Sequence, residues 1–477
     1  MEKNLMLPGN PRYQPEELTD YLGYDNLAKY WTKIELAKLE VMYEIGFISK
    51  DVWCLLTDDV KESLFEITTT EVDMVERKIT KHDVNAHNRL LREKLPPELA
   101  RFVHLPLTSY DKISTANSLV LRDIFFHVIR PKIIELLNLL ADMVEEYADV
   151  AQIGRTHGQH ALPITVGFWL ANILHRLASS YNTLEIGNQM LCGKISGAVG
   201  AYNAQEALRF NTENEISFEK RVLEKLDLTP AAISSQIISP EETAFFLFGA
   251  TMFSASLAQL GRDCRHLMRT EIGEILEGFE DQQVGSSTMA HKRNPINFEN
   301  TEGMWLRNKN EFGKVLDNLI SEHQRDLVNS SAMRDWPIIL VNLTVQLNTL
   351  LRKDEKTKTP FIKRIKVDRT ALENNLAKQA NVIMAEPLYI SLQLAGYEGD
   401  AHNLVNHILV AEAKKTGQNI FKVAENLAEQ DDVLRSALQK IPDETKALFD
   451  HPEKYTGSAE FKAREIADIV RDFINSN

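Results

Sequence analysis

Chain-breaking residues are scarce in this sequence. Glycine (21) and proline (16) together make up roughly 8% of the 477 residues, against about 12% in average usage. That shortage disfavours sandwiches, barrels, collagen-like and disordered designs, and it favours long helices. Cysteine is scarcer still: Cys54, Cys192 and Cys264 are odd in number, far apart and form no CxxC pair. Neither a disulfide framework nor a zinc site is expected, and a reducing cytoplasm fits best. Positive charge is also short. Lys+Arg 54 against Asp+Glu 68 leaves a formal charge of −14, the wrong sign for broad nucleic-acid binding, which needs a basic surface to displace counterions. The first residues, MEKNLMLPGNPRYQPEEL, lack an apolar core and carry acids, so no signal or transit peptide is expected. One uncharged run, Thr243 to Gly261, is about long enough to span a bilayer. It contains Thr251, Ser254, Ser256 and Gln259 and is flanked by charge, which suits a helix buried on all sides in a large bundle and not a membrane span.

What remains is ordinary globular composition, 44% hydrophobic and 26% charged, arranged with helical period. The first hundred residues read as short helices; in Leu27 to Ile45, apolar positions recur mostly three to four apart. From Ile113 to Val150 one long period-3.6 segment carries Leu119, Leu121, Ile124, Phe125, Val128, Ile133, Leu136, Leu137, Leu140 and Val144. Pro131 inside it predicts a kink. Further helices are expected over Thr165–Met190, Pro240–Leu276, Asn297–His323 and Pro337–Leu351. Five long helices with broad apolar faces can only bury one another, so an all-α fold with a central five-helix bundle is expected. A lysine-rich interruption, Arg352–Lys366, marks a boundary, and shorter helices with acidic punctuation follow. The division expected is an N-terminal helical domain (1–112), a central bundle (113–364) and a C-terminal helical domain (365–477).

The most informative stretch runs Gly285-Ser-Ser-Thr-Met-Ala-His-Lys-Arg-Asn294 and on to Pro295 and Glu299. Small residues allow backbone N–H groups to approach an anion, and a lysine adds charge at one point. By residue type alone, Ser286 and Ser287 fit a nucleophile, a base or turn formers. A Gly-Ser-Ser-Thr loop is by composition a flexible linker, but here it separates two long helices that need only a short connection.

This stretch resembles the signature loop GSSxMPxKxN of the fumarase/aspartase superfamily, and the histidine ahead of the lysine, His291, resembles its adenylosuccinate lyase branch. Ala290 stands where that family normally has proline, which leaves the loop less restricted without removing a reacting group. Gly154-Arg-Thr-His-Gly-Gln159 resembles the family's RTHGQ, Thr80-Lys-His-Asp-Val84 its THDV-type segment and Leu107-Thr-Ser-Tyr-Asp111 its TSxD segment. Arg12-Tyr13, Ser235-Gln236, Gln324-Arg-Asp-Leu327, Ser330 to Arg334 and Met384-Ala-Glu-Pro387 agree in order, so the resemblance spans most of the chain. Gly193 to Gly200 belongs to it too and is no dinucleotide fingerprint, since no strand precedes it.

The resemblance implies a three-domain fumarase/aspartase-type fold and a β-elimination that releases fumarate from adenylosuccinate and from the succinylcarboxamide intermediate of purine synthesis. It implies Ser287 as the base, its alkoxide stabilised by backbone N–H groups and Lys292, and His157 as the acid, a residue type that carries a proton near neutral pH. Glu299 is implied as the orienting carboxylate, with a solvated helix acid as the alternative, and His82 as a further pocket histidine. The other histidines, His104, His127, His160 and His175, are expected on packed or surface helix faces. Arg12, Tyr13, Arg325, Ser330 and Arg334 match phosphate-contacting positions, where arginine's planar fork suits two oxygens. Thr108, Ser109, Gln236, Lys292 and Asn294 match the carboxylate side, and Lys81 and Asp83 flank His82 as substrate-binding positions. No metal and no cofactor are implied. The implied partners are a small nucleotide and other copies of the chain, a homotetramer whose sites are shared by three subunits. The competing readings are another fumarate-releasing lyase such as argininosuccinate lyase, a catalytically silent relative, and an unrelated helical scaffold.

Overall fold

A computed structural model describes residues 10–211, 216–278, 289 and 291–476. The fold is all-α. Long helices cover Ser109–Ile124, Arg130–Glu146, Val166–Met190, Pro240–Leu267, Ile296–Asp317 and Pro337–Leu351, with short helices before and after. The first two are one continuous rod with a π turn over Phe125–Ile129, directly ahead of Pro131, where the ring has no N–H and crowds the carbonyl four residues back. The expected kink therefore takes the form of a widened turn.

Two helices stop earlier than the periodicity suggested. The Pro240 helix ends at Leu267 instead of Leu276; the chain beyond it turns, with Gly273 at φ +64° and its N–H donating to the Arg269 carbonyl at 2.8 Å. The Ile296 helix ends at Asp317 instead of His323, because the Asn329 amide donates to the Asp317 and Ile320 carbonyls at 3.0 and 2.8 Å. The segment released after Asp317 lines a cavity described below. Two of the four histidines expected on helix faces lie elsewhere. His104 is in a turn at φ +72° and His160 is on a strand.

The chain forms two compact units, each discontinuous in sequence. The first comprises Met1–Glu135, Ser179–Ala258 and Asn300–Leu350. Its core gives Ser254 of the uncharged Thr243–Gly261 run its partners. The buried Asn308 amide donates to Ser254 Oγ (3.2 Å), the Asn342 amide to Asn308 Oδ1 (2.8 Å), and the Gln346 amide to the carbonyls of Ser254 and Thr301 (3.1 and 2.7 Å). Such groups are tolerable in a helix core only with partners, and neighbouring helices supply them. A Cβ on Gly249 would sit 2.7 Å from Leu184 Cα, and one on Gly187 equally close to Phe246 Cα, so these glycines set the approach of two helices. Pro240–Leu267 is long and apolar enough to cross a membrane, and 67% of its most apolar window is buried inside the protein.

The first unit also buries a charge cluster. Glu35 pairs with Lys38 and Lys112, each at 2.5 Å, and all three side chains are inaccessible or nearly so. Burial alone would raise the Glu35 pKa, but the two ammonium groups outweigh it and hold the carboxyl well below its ordinary range. Burial pushes Lys38 down to about 8.

The second unit comprises Leu136–Ala178, Gln259–Glu299 and Leu351–Asn477. It contains an antiparallel hairpin, β1 (Ala151–Thr156) and β2 (Gln159–Thr165), and a short antiparallel pair, Ile275–Leu276 with Lys366–Val367. Its C-terminal core gathers Leu388, Leu392, Val405, Ile420 and Leu434 around short helices. The acidic punctuation there is capping: Asp368, Asp400 and Asp431 each accept from backbone N–H groups at helix starts, at 2.9–3.0 Å.

Candidate active site

The first unit holds a cavity of about 920 Å³, whose walls come from five separate stretches of chain. His82, Asp83, Ser109, Gln236, Arg325, Ser330 and Arg334 all line it, so seven of the residues singled out from the sequence meet in one recess. Tyr24, Trp31, Asp73 and Tyr110 complete much of the wall.

Each stretch is locally fixed. His82 occupies the N-cap position of Asp83–Lys94; its Nδ1 lies 3.2 Å from Asp83 Oδ1 and its Nε2 3.4 Å from Ser109 Oγ. Ser109 opens the next helix behind a capping box, in which Thr108 N–H donates to Asp111 Oδ2 at 2.8 Å. Asp111 is fully buried and pairs with the equally buried Lys194, and it also accepts from Gly197 N–H at 3.3 Å. Burial pushes the Asp111 carboxyl up, opposed by the Lys194 charge. The loop after Asp317 is shaped by Asp326, which accepts from Glu322 N–H (2.6 Å), Val328 N–H (2.7 Å) and Ser321 Oγ (3.0 Å); these bonds lower its pKa. On that loop Arg325 lies over the Tyr110 ring, 3.3 Å from its centroid, and donates to Gln236 Oε1 at 3.0 Å. Arg334 reaches to 3.9 Å from Asp83 Oδ2. Tyr24 donates to Asp73 at 2.8 Å, and burial together with that carboxylate pushes its phenol up to about 12.

Four assigned residues of this unit do not line the cavity. Lys81 sits at φ +54°, which turns its ammonium back onto the Arg77 carbonyl. Arg12 is exposed on a short 3₁₀ turn capped by Asn10, and Tyr13 lies half-buried under Arg307. Thr108 stands just behind the wall, as the cap.

The remaining assigned residues belong to the second unit. His157 and Gly158 form the two-residue tip between β1 and β2, at φ +53° and +75°. Positive φ at both positions is what a type I′ hairpin turn requires, and glycine meets it at no cost while histidine does so under strain. The imidazole is thus held on an exposed projection, and strained backbone of this kind concentrates at functional sites. The hairpin is anchored by Glu274, whose buried carboxylate accepts from Gln152 (2.8 Å), from both Nη atoms of Arg155 (3.0 and 2.5 Å) and from Asn375 (2.8 Å). Three residues on, buried Glu277 accepts from Asn297 N–H (3.1 Å), the Asn297 amide (2.9 Å) and Phe298 N–H (3.2 Å), capping the helix that carries Glu299. Burial raises the Glu277 pKa against these bonds. Glu277 therefore joins the two ends of the segment containing the signature loop. Ser286, Ser287 and Ala290 lie outside the described residues. Lys292 and Glu299 are exposed and Asn294 is half-buried.

A family model described as lyase matches residues 55–307. The chain is 32% identical to the adenylosuccinate lyase of Archaeoglobus fulgidus over 469 residues, covering 98% of this chain and 99% of that one. It is also 32% identical to the adenylosuccinate lyase of Methanocaldococcus jannaschii, covering 99% and 97%. The chain belongs to the adenylosuccinate lyase family. The fold of this lyase is shared by 3-carboxy-cis,cis-muconate lactonizing enzyme from Pseudomonas putida (TM-score 0.77, 22% identity, 97% and 98% coverage). It is shared too by fumarate lyase from Mesorhizobium sp. BNC1 (TM-score 0.78, 19% identity, 97% and 100% coverage).

Sequence reasoning missed several residues that shape this lyase's site. Tyr110 stood inside the quoted Leu107–Asp111 segment, where a large aromatic beside two small hydroxyl residues was the available signal. Glu274 and Glu277 were noticed only as an acidic helix end. Their burial was foreshadowed by the apolar Ile275-Leu276 between them. Tyr24, Trp31 and Asp73 carry no local mark, because only the tertiary fold turns them to the cavity.

Proposed function

We propose that this lyase catalyses β-elimination of fumarate from adenylosuccinate, giving AMP, and from the succinylcarboxamide intermediate of purine synthesis. The observation that carries the reading is the cavity itself. Arg325 and Arg334 supply cationic forks for a phosphate, with Ser330 beside them, while Ser109, Gln236 and His82 offer hydrogen bonds to carboxylate and ribose oxygens. A multiply anionic nucleotide suits such a wall.

In the proposed reaction Ser287 takes the proton from the carbon beside a succinyl carboxylate, and electrons of that C–H bond form the new C=C bond as the C–N bond breaks. The departing nitrogen receives its proton from His157. Lys292 and loop N–H groups stabilise the negative charge that develops, and Glu299 orients the acid. Arg12, Tyr13, Arg325, Ser330 and Arg334 hold the phosphate; Thr108, Ser109, Gln236 and Asn294 serve the carboxylate side, with Lys81 and Asp83 supporting His82.

We further propose a homotetramer with each site shared by three subunits, in a reducing cytoplasm, and a three-domain division at residues 112 and 364. Support for assembly comes from the His157 tip, which is a projection, and from the exposed apolar side chains Ile320, Leu327 and Val328 on a loop bearing assigned residues. The deciding experiment incubates the purified protein with adenylosuccinate and, in parallel, argininosuccinate, and analyses the products by chromatography. AMP and fumarate from the first substrate support the proposal; fumarate from the second alone replaces it with the argininosuccinate reading.

A further inference from the structure

Arg325, assigned above to the substrate phosphate, has a neighbour that no motif assignment includes. Its guanidinium carbon lies 3.3 Å from the centroid of the Tyr110 ring, its Nη2 donates to the Tyr110 hydroxyl, and its Nη1 donates to Gln236 at 3.0 Å. An arginine on a loop ordinarily samples many rotamers, and ordering them opposes ligand capture. Here an aromatic face and two acceptors order the side chain in advance, with further N–H groups of its planar fork left for an anion. Tyr110 is itself held still. It is the second residue of the Ser109–Ile124 helix and adjoins Asp111, which buried Lys194 and the Thr108 N–H anchor.

We propose that Tyr110 is a positioning residue that presets Arg325 for the phosphate, and so sets the preference for a nucleotide over the corresponding nucleoside. The proposal rests on the adenylosuccinate reading of the cavity. It predicts coupling between the Tyr110 ring and the substrate phosphate, which a residue serving only to stabilise the fold would not show.

The test compares wild type, Tyr110→Phe and Tyr110→Leu on adenylosuccinate and on its dephosphorylated counterpart, with kcat and KM separated. Calorimetric binding of AMP and adenosine accompanies it. Tyr110→Leu should raise KM for the nucleotide about tenfold with kcat within about twofold, and change KM for the nucleoside by less than about twofold. Tyr110→Phe keeps the ring face and should recover most of the loss. In an Arg325→Leu background, Tyr110→Leu should add almost nothing, because the two changes remove one interaction. Equal losses on both substrates, an unchanged nucleotide KM, or full additivity with Arg325→Leu would overturn the proposal. If Tyr110→Leu yields no folded protein by circular dichroism, Tyr110→Met carries the same comparison. A wild type that splits neither substrate refutes the reaction, while calorimetry still decides Tyr110. A preference for AMP that vanishes in the leucine variant supports it, and no preference in wild type overturns it.

Discussion

Glu274→Ala removes the carboxylate that fastens the His157 hairpin. In the native protein that carboxylate is inaccessible, and its partner Arg155 has a side chain only 14% exposed. Removing one member of a buried ion pair costs about 3–5 kcal/mol, because the remaining charge stays desolvated and unpaired. Arg155 keeps a hydrogen bond to the Ile153 carbonyl and some contact with water, which places its share near the lower end. Asn375 retains the Ile272 carbonyl at 2.8 Å, but buried Gln152 loses its carboxylate partner, adding about 1–2 kcal/mol. The expected loss is about 4–5 kcal/mol, which corresponds to a Tm lower by roughly 8–20 °C for a unit of this size. Calorimetry of the intact protein measures the shift, and hydrogen exchange should show lost protection in residues 151–165. Glu274→Met combined with Arg155→Met should recover part of the loss, since no unpaired charge then remains. A Tm for Glu274→Ala within about 3 °C of wild type, with 151–165 still protected, would refute the anchoring argument.

Three other expectations concern separate parts of the molecule. His104, pushed down to about 4 by burial and then by Lys112, is neutral in the folded protein, and His87 shifts the same way. The unfolded chain gains these protons first, so stability should fall as pH drops from about 6.5 to 4, His104 alone accounting for about 3 kcal/mol. Denaturant titrations of His104→Asn, which tolerates the left-handed backbone, should show a shallower fall over that window, and an unchanged slope would contradict the assignment. Gly200→Ala should destabilise by about 1–3 kcal/mol and weaken substrate binding, because φ is +74° and a Cβ would meet the Ser234 carbonyl oxygen at 2.0 Å, two residues before Gln236; thermal melts and KM report both effects. Ser287→Ala and His157→Gln should each lose nearly all turnover, and mixing the two under conditions of proven subunit exchange should restore part of it. Failure to restore any would count against sites shared between subunits.

Much of the fold was legible in the residues. The helix over Pro337–Leu351 has the bounds its periodicity indicates, and that over Val166–Met190 differs by one residue. Periodicity overran the ends of two others, and one of those stops depends on the side chain of Asn329, twelve residues beyond the carbonyl it caps. The hairpin carrying His157 escaped notice because the bulge at Gly154 breaks the alternation of β1; the His-Gly pair at its tip was the remaining turn signal.

By itself the sequence determined the helical class, the absence of any cysteine framework and the identities of the residues in the family motifs. All of these follow from composition, local period or short spacing. Only tertiary structure decided that seven of those residues share one recess, that Tyr110 orients Arg325, and that Glu274 secures a hairpin more than a hundred positions earlier in the chain. The physical reason is that a hydrogen bond or a stacked pair depends on distance in space. Residues 215 positions apart, as Tyr110 and Arg325 are, leave no local pattern that announces their contact.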